Sequence, residues 1–168
     1  GRCYEFERTL PYQPVAEALG LVLIPGVVID PAAREAGFAL TTALAAQYGL
    51  HAVTARFDLV TLYPQVRAVG VNDDPGWHAT PLIETSARAW VENGVADDRA
   101  AFDAAQDIPG PVVIGLALER EQEEVKQRVA VIGSGDFLAN AALGNAGNLD
   151  LGINLFNWLA GDAKLISI

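Results

Sequence analysis

The chain has 168 residues, 51% hydrophobic and 19% charged, and its 11 basic against 21 acidic residues leave a net charge of −10. That length suits one compact domain burying roughly 70% of its unfolded surface, and so much apolar residue argues against disorder. The negative charge disfavours a nucleic-acid partner, because such affinity rests on Lys and Arg neutralising phosphates.

The apolar stretch 19–29 is broken by Gly20, Pro25 and Gly26, short of the about 20 residues that a membrane span needs. A single cysteine, Cys3, excludes an internal disulfide and a cysteine-based zinc cluster. The chain opens Gly1-Arg2-Cys3, contains no methionine and shows no signal-peptide pattern. It reads as a single α/β domain over 1–168, excised from a longer polypeptide and incomplete where its flanks are missing.

In chain order, 21–30 reads as a strand pair or bent strand, punctuated by Pro25-Gly26. Asp30-Pro31 signals a helix start, an N-cap acid followed by proline. Ala33, Ala36, Leu40, Leu44 and Tyr48 recur at spacings of three and four, which predicts an amphipathic helix closed by Gly49. Positions 59–71 look extended with a break at Pro64, and 72–76 form a loop. Leu82-Ile83 starts a short strand, and 97–105 forms a short acidic helix.

Positions 111–118 and 128–133 are apolar runs of strand length, predicted as neighbours joined by a solvated acidic connector over 119–124. Ser134-Gly135-Asp136 then turns the chain into a helix near Phe137, with Asp136 as N-cap and Gly144 as stop. A second helix has Asp150 as cap and Gly161 as stop. Leu151, Leu155, Trp158 and Leu159 form its buried stripe, and Asn154 and Asn157 lie off it. Positions 165–168 return as a final strand. Strand, helix, helix, strand at this spacing indicates an α/β layered sheet with flanking helices.

Motifs for chemistry are sparse. Gly133-Ser134-Gly135 lacks the third glycine of a dinucleotide fingerprint, because Leu138 stands there. Ile132 and Asp136 occupy the glycine positions of a nucleophile elbow around Ser134. His51 and His78 are the only histidines, too few and too widely spaced for a zinc site. We read both as structural or loop residues and expect no catalytic set, metal or cofactor. Asp136, Asn140, Asn148, Asp150 and Asn154 form a polar set around two helix starts. Capping accounts for the two acids; a ligand site at the carboxyl end of a strand would account for all five.

From Arg128 through Gly133-Ser134-Gly135-Asp136-Phe137, Asn140, Gly147-Asn148-Leu149-Asp150 and Asn154 to Asn157-Trp158-Leu159 and Ile166-Ser167-Ile168, the C-terminal segment resembles the GldG-like family. These are auxiliary proteins of ABC-type, gliding-motility-associated transport systems. Tyr48-Gly49-Leu50-His51 and the segment from Thr80 through Thr85-Ser86 to Trp90 fit the same likeness. The resemblance implies an extracytoplasmic domain similar to glutamine-amidotransferase or flavodoxin-like folds, tethered to the membrane by segments outside this sequence. It also implies ABC transporter membrane subunits as partners, and glycan as a further one. The amidotransferase likeness carries no glutaminase activity, since the only cysteine is terminal. The function expected is therefore a non-enzymatic accessory domain acting through protein or glycan binding. A small-molecule or sugar-binding domain is the alternative, and a hydrolase using His51 or His78 ranks last.

Overall fold

In the computed structural model, residues 13–72, 76–94 and 100–161 are described. Helix α1, Gln13–Ala18, leads into strand β1, Leu21–Leu23, and β2, Val27–Ile29, follows a bend at Pro25-Gly26. Gly26 sits at φ +103°, and a Cβ there would lie 2.5 Å from the Glu92 carbonyl oxygen. A close backbone approach in left-handed geometry thus requires glycine at the break.

Helix α2, Pro31–Glu35, begins as the sequence predicts: Asp30 Oδ1 accepts the Ala32 amide at 3.0 Å, with Pro31 in the first turn. It then stops, which corrects the long helix expected through Tyr48. Gly37 turns the chain at φ +86°, and strands β3, Thr42–Ala45, and β4, Gln47–Tyr48, follow. The reason is non-local pairing. Asp30 Oδ2 accepts the Leu44 amide at 3.0 Å, and β3 lies antiparallel to β5, Thr61–Pro64. A spacing pattern of five residues, interrupted by Gly37, is too weak to resist such pairing.

The extended region expected over 59–71 divides after Pro64, and β6, Val69–Val71, pairs with β1. Strand β7, His78–Glu84, precedes β8, Trp90–Glu92, which lies between β2 and β9, Ile108–Pro109. The two halves of the predicted strand pair around Pro25-Gly26 therefore join different sheets. The acidic helix expected over 97–105 is not formed where it is described. Residues 100–107 carry turns, in which Asp103 Oδ1 accepts the Ala105 amide and Asp107 Oδ2 the Asp103 amide. Local carboxylate bonds offer the backbone an alternative to the helical ladder.

Strands β10, Val113–Gln122, and β11, Val125–Ile132, form a long hairpin. Glu123 and Glu124 alone make its turn, with φ of 51° and 64°, a left-handed pair suited to strand twist. The solvated connector expected over 119–124 thus shrinks to two residues, because the strands continue through the charged positions. The hairpin belongs to a four-stranded sheet of order β11-β10-β7-β4. All pairings among the described residues are antiparallel. Helices α3, Asn140–Leu143, and α4, Asn148–Leu159, close the described chain. Cys3 and the strand expected at 165–168 lie outside the described residues.

Helix α4 packs against β11 and β5, and its Leu151, Leu155 and Trp158 join a core built on Val28, Tyr63, Leu82, Ile83 and Ile114. Phe137 stacks on Tyr63 with ring centroids 5.0 Å apart. Leu159, expected in the buried stripe, is 40% exposed, whereas Asn154 faces inward at 2%. Among the described residues no helix is long and apolar enough to cross a membrane.

Candidate functional site

The end of β11 is fastened by backbone. The Gly133 amide donates to the Ile114 carbonyl, and its own carbonyl accepts the Arg67 amide, both at 2.9 Å. A Cβ at Gly133 would fall 1.9 Å from the Arg67 carbonyl oxygen. Ser134 Oγ donates to the Pro64 carbonyl at 2.6 Å. Gly133 and Ser134 therefore tie β11 to β5 and the chain after it, as a structural turn does, while Gly135 faces open space.

Neither acid of the polar set caps a helix. Ala139 is the N-cap of α3, one turn later than expected, and Asp136 stays exposed in the preceding turn. Gly147 is the N-cap of α4, buried against Leu59 and donating its amide to the Val60 carbonyl at 2.8 Å. Asp150 lies in the first turn, where its charge complements the helix dipole. The stops at Gly144 and Gly161 are as predicted, Gly161 at φ +80°.

The asparagines divide. Asn148, fully buried, accepts the Leu62 amide at 2.8 Å and donates to the Leu62 and Phe137 carbonyls at 2.9 and 3.0 Å. Its side chain acts as one more strand residue beside β5 and is fully occupied. Asn154 donates to the Val53 carbonyl at 3.2 Å, and its buried Oδ1 has no partner among the described residues. Asn140 is exposed at the start of α3. The five residues do not converge on one ligand position.

One of them does line a cavity. A groove of about 320 Å³ runs between Phe38, Thr42, Leu62 and Pro64 on one side and Asp136, the alanines Ala139, Ala141 and Ala142, and Asn145 on the other. It opens beyond the carboxyl end of β11, where the sequence placed a site. Thr42, Leu62 and Ala142 are buried, whereas Phe38 is 39% exposed.

A second cluster was not legible in the sequence. His51 Nδ1 accepts the Val53 amide at 3.3 Å, which leaves the proton on Nε2, 3.8 Å from Glu119 Oε2. The imidazole meets Trp158 edge-on at 5.0 Å. Arg128 Nε lies 3.5 Å from Glu119 Oε1, while Nη1 donates to the Trp158 carbonyl at 2.6 Å, at the end of α4. Burial lowers the His51 pKa, the Glu119 carboxylate opposes that shift, and Arg128 adds to it. His78 stands opposite Glu119 in the β7–β10 register, and with it lines a cleft of about 280 Å³ that includes Arg120 and Lys126. Glu119 thus has His51 near its carboxylate and His78 as its strand-register neighbour. Glu119 and Arg128 escaped sequence reading because one sat in an apparent surface connector and the other at a strand edge; the cross-strand register alone joins them. Among the described residues no group of three or more His, Cys, Asp or Glu could hold a metal.

The outer face of α4 is apolar as well. Leu149, Ile153 and Phe156 are 47%, 38% and 64% exposed at spacings of four and three, a stripe opposite the buried one. The chain matches no family model and no curated protein.

Proposed function

We propose that this chain is a non-enzymatic binding domain, an extracytoplasmic accessory module that contacts the membrane subunits of an ABC-type transport system. The observation that carries this reading is the exposed stripe Leu149, Ile153 and Phe156 on α4, within the segment that resembles the GldG-like family. Monomeric proteins rarely leave a contiguous apolar stripe in water without a use for it. The likeness to amidotransferase and flavodoxin-like folds rests on the sequence motif alone, since flavodoxin-like sheets are parallel and the pairings described here are antiparallel.

The test uses the parent protein with its native flanks. It is expected to be cleaved by external protease in intact spheroplasts and to co-purify with transporter membrane subunits. Phe156→Asp is expected to abolish co-purification with little change in thermal stability. Protection until lysis would remove the extracytoplasmic assignment, and undiminished co-purification of the variant would remove the α4 surface.

A second reading, small-molecule binding at the strand end, is favoured by the groove beside Asp136. Pockets of about 300 Å³ and above are the usual size for such ligands. The hydrolase reading draws on the His51–Glu119 pair with His78 opposite in the strand register, but the His51 side chain is 8% exposed and its Nδ1 is occupied. A general base needs to reach its substrate's proton.

A further inference from the structure

We propose that the groove beside Asp136 binds an apolar group carrying an ammonium or guanidinium, an inference that rests on the small-molecule reading of that groove. Three features of the lining select this chemistry. Its walls are mainly apolar, from Leu62, Pro64 and the alanines of the facing segment, which favours a hydrocarbon body. Among the described residues Asp136, exposed at the rim, is its one charged lining residue, and no Lys, Arg or His lines it. Its aromatic lining residue, Phe38, keeps 39% of its surface accessible. A carboxylate and an aromatic face together attract a cation through charge and through the ring quadrupole.

The rest of the chain reinforces that preference. A net charge of −10 raises the local concentration of cations and lowers that of anions. The back of the groove is rigid, because Leu62 is held at both its amide and its carbonyl by Asn148. A fixed wall spares a ligand the entropy of ordering its site. Ser134, anchored to the Pro64 carbonyl, fixes the start of the turn that carries Asp136.

The ammonium could belong to a free amine or to a lysine side chain of another protein, and the probes distinguish these sources. Binding of benzylammonium, benzyl alcohol, benzoate and a capped lysine tripeptide to the full chain is followed by NMR chemical-shift titration. Benzylammonium is expected to bind tighter than benzyl alcohol by about threefold, the range of a partly exposed ion pair, and benzoate weakest. Tighter binding by the tripeptide than by benzylammonium would support the same chemistry with a protein as its source. Asp136→Asn is expected to erase the difference between benzylammonium and benzyl alcohol. Glu124→Gln, at the far end of the hairpin, is expected to leave that difference intact. Equal binding of the cationic, neutral and anionic probes, all abolished by Ala141→Trp, would overturn cation selectivity while keeping the groove as a binding site. Binding of no probe, or binding indifferent to Ala141→Trp, would overturn the groove reading and this inference with it.

Discussion

Asn148 pairs with Leu62 as a neighbouring strand would, accepting its amide at 2.8 Å and donating to its carbonyl at 2.9 Å. A side-chain amide thus fastens the first turn of α4 to β5 across 86 positions of sequence. The same Nδ2 reaches the Phe137 carbonyl at 3.0 Å, so the residue also fixes the turn between β11 and α3.

Asn148→Ala is expected to leave three buried backbone groups unpaired and to cost about 3 kcal/mol, at about 1 kcal/mol or more for each. Asn148→Asp is expected to cost at least as much, since it removes both donors and buries a carboxylate. Urea unfolding of the three proteins measures this. A loss under about 0.5 kcal/mol for the alanine variant would refute the clamp.

The glycines on either side of Ser134 are expected to behave oppositely. Gly133→Ala forces a Cβ onto the Arg67 carbonyl and pushes the end of β11 away from the segment between β5 and β6, costing about 3 kcal/mol or more through backbone displacement. Gly135→Ala meets nothing within 4 Å and is expected to shift stability by less than about 0.5 kcal/mol. Thermal melts of both variants decide it. Equal effects would mean that the turn is not held by the Arg67 contact.

His51 makes stability depend on pH. Burial holds its folded-state pKa below the ordinary 6.5, so on acidification the unfolded chain takes up the proton first. This contribution is fully present above about pH 6.5 and is lost as pH falls toward the folded-state value. Subtracting the stability curve of His51→Phe from that of the native chain, from about pH 7.5 to about pH 5, is expected to isolate that decline. Glu119→Gln is expected to steepen it, because the Glu119 charge is what supports the protonated imidazole. A flat difference curve would show that His51 titrates as an exposed residue.

Arg128 closes the end of α4 by donating to the Trp158 carbonyl at 2.6 Å, with its guanidinium 5.5 Å from the Trp158 ring. Arg128→Ala is expected to cost about 1–2 kcal/mol from the lost charged hydrogen bond and helix-end interaction. Arg128→Lys is expected to restore less than half, since an ammonium cannot both reach the Trp158 carbonyl and keep the broad guanidinium by the Trp158 ring. Chemical denaturation of the two variants gives the comparison, and full recovery by lysine would reduce the interaction to simple charge.

What the sequence determined by itself was local chemistry. The Pro25-Gly26 break, the Asp30-Pro31 cap, the hairpin strands and the helix stops at Gly144 and Gly161 follow from backbone preferences and hydrogen bonds within a few residues. Of the five polar residues that the sequence grouped near the end of β11, Asp136 lines the groove there, while Asn140, Asn148, Asp150 and Asn154 are not among its lining residues. Tertiary structure decided whatever depended on distant partners. Positions 42–48 became strands because β5, β7 and the Asp30 carboxylate supply their hydrogen bonds. Glu119 met His51, His78 and Arg128 through sheet register and loop packing. Helix α4 carries one apolar stripe through Leu151 and Leu155 and another through Leu149, Ile153 and Phe156. Spacing picked out the first, which is buried at Leu151, Leu155 and Trp158; only the tertiary structure left Leu159 40% exposed and brought Asn148 and Asn154 inside, to hydrogen-bond partners at Leu62 and Val53.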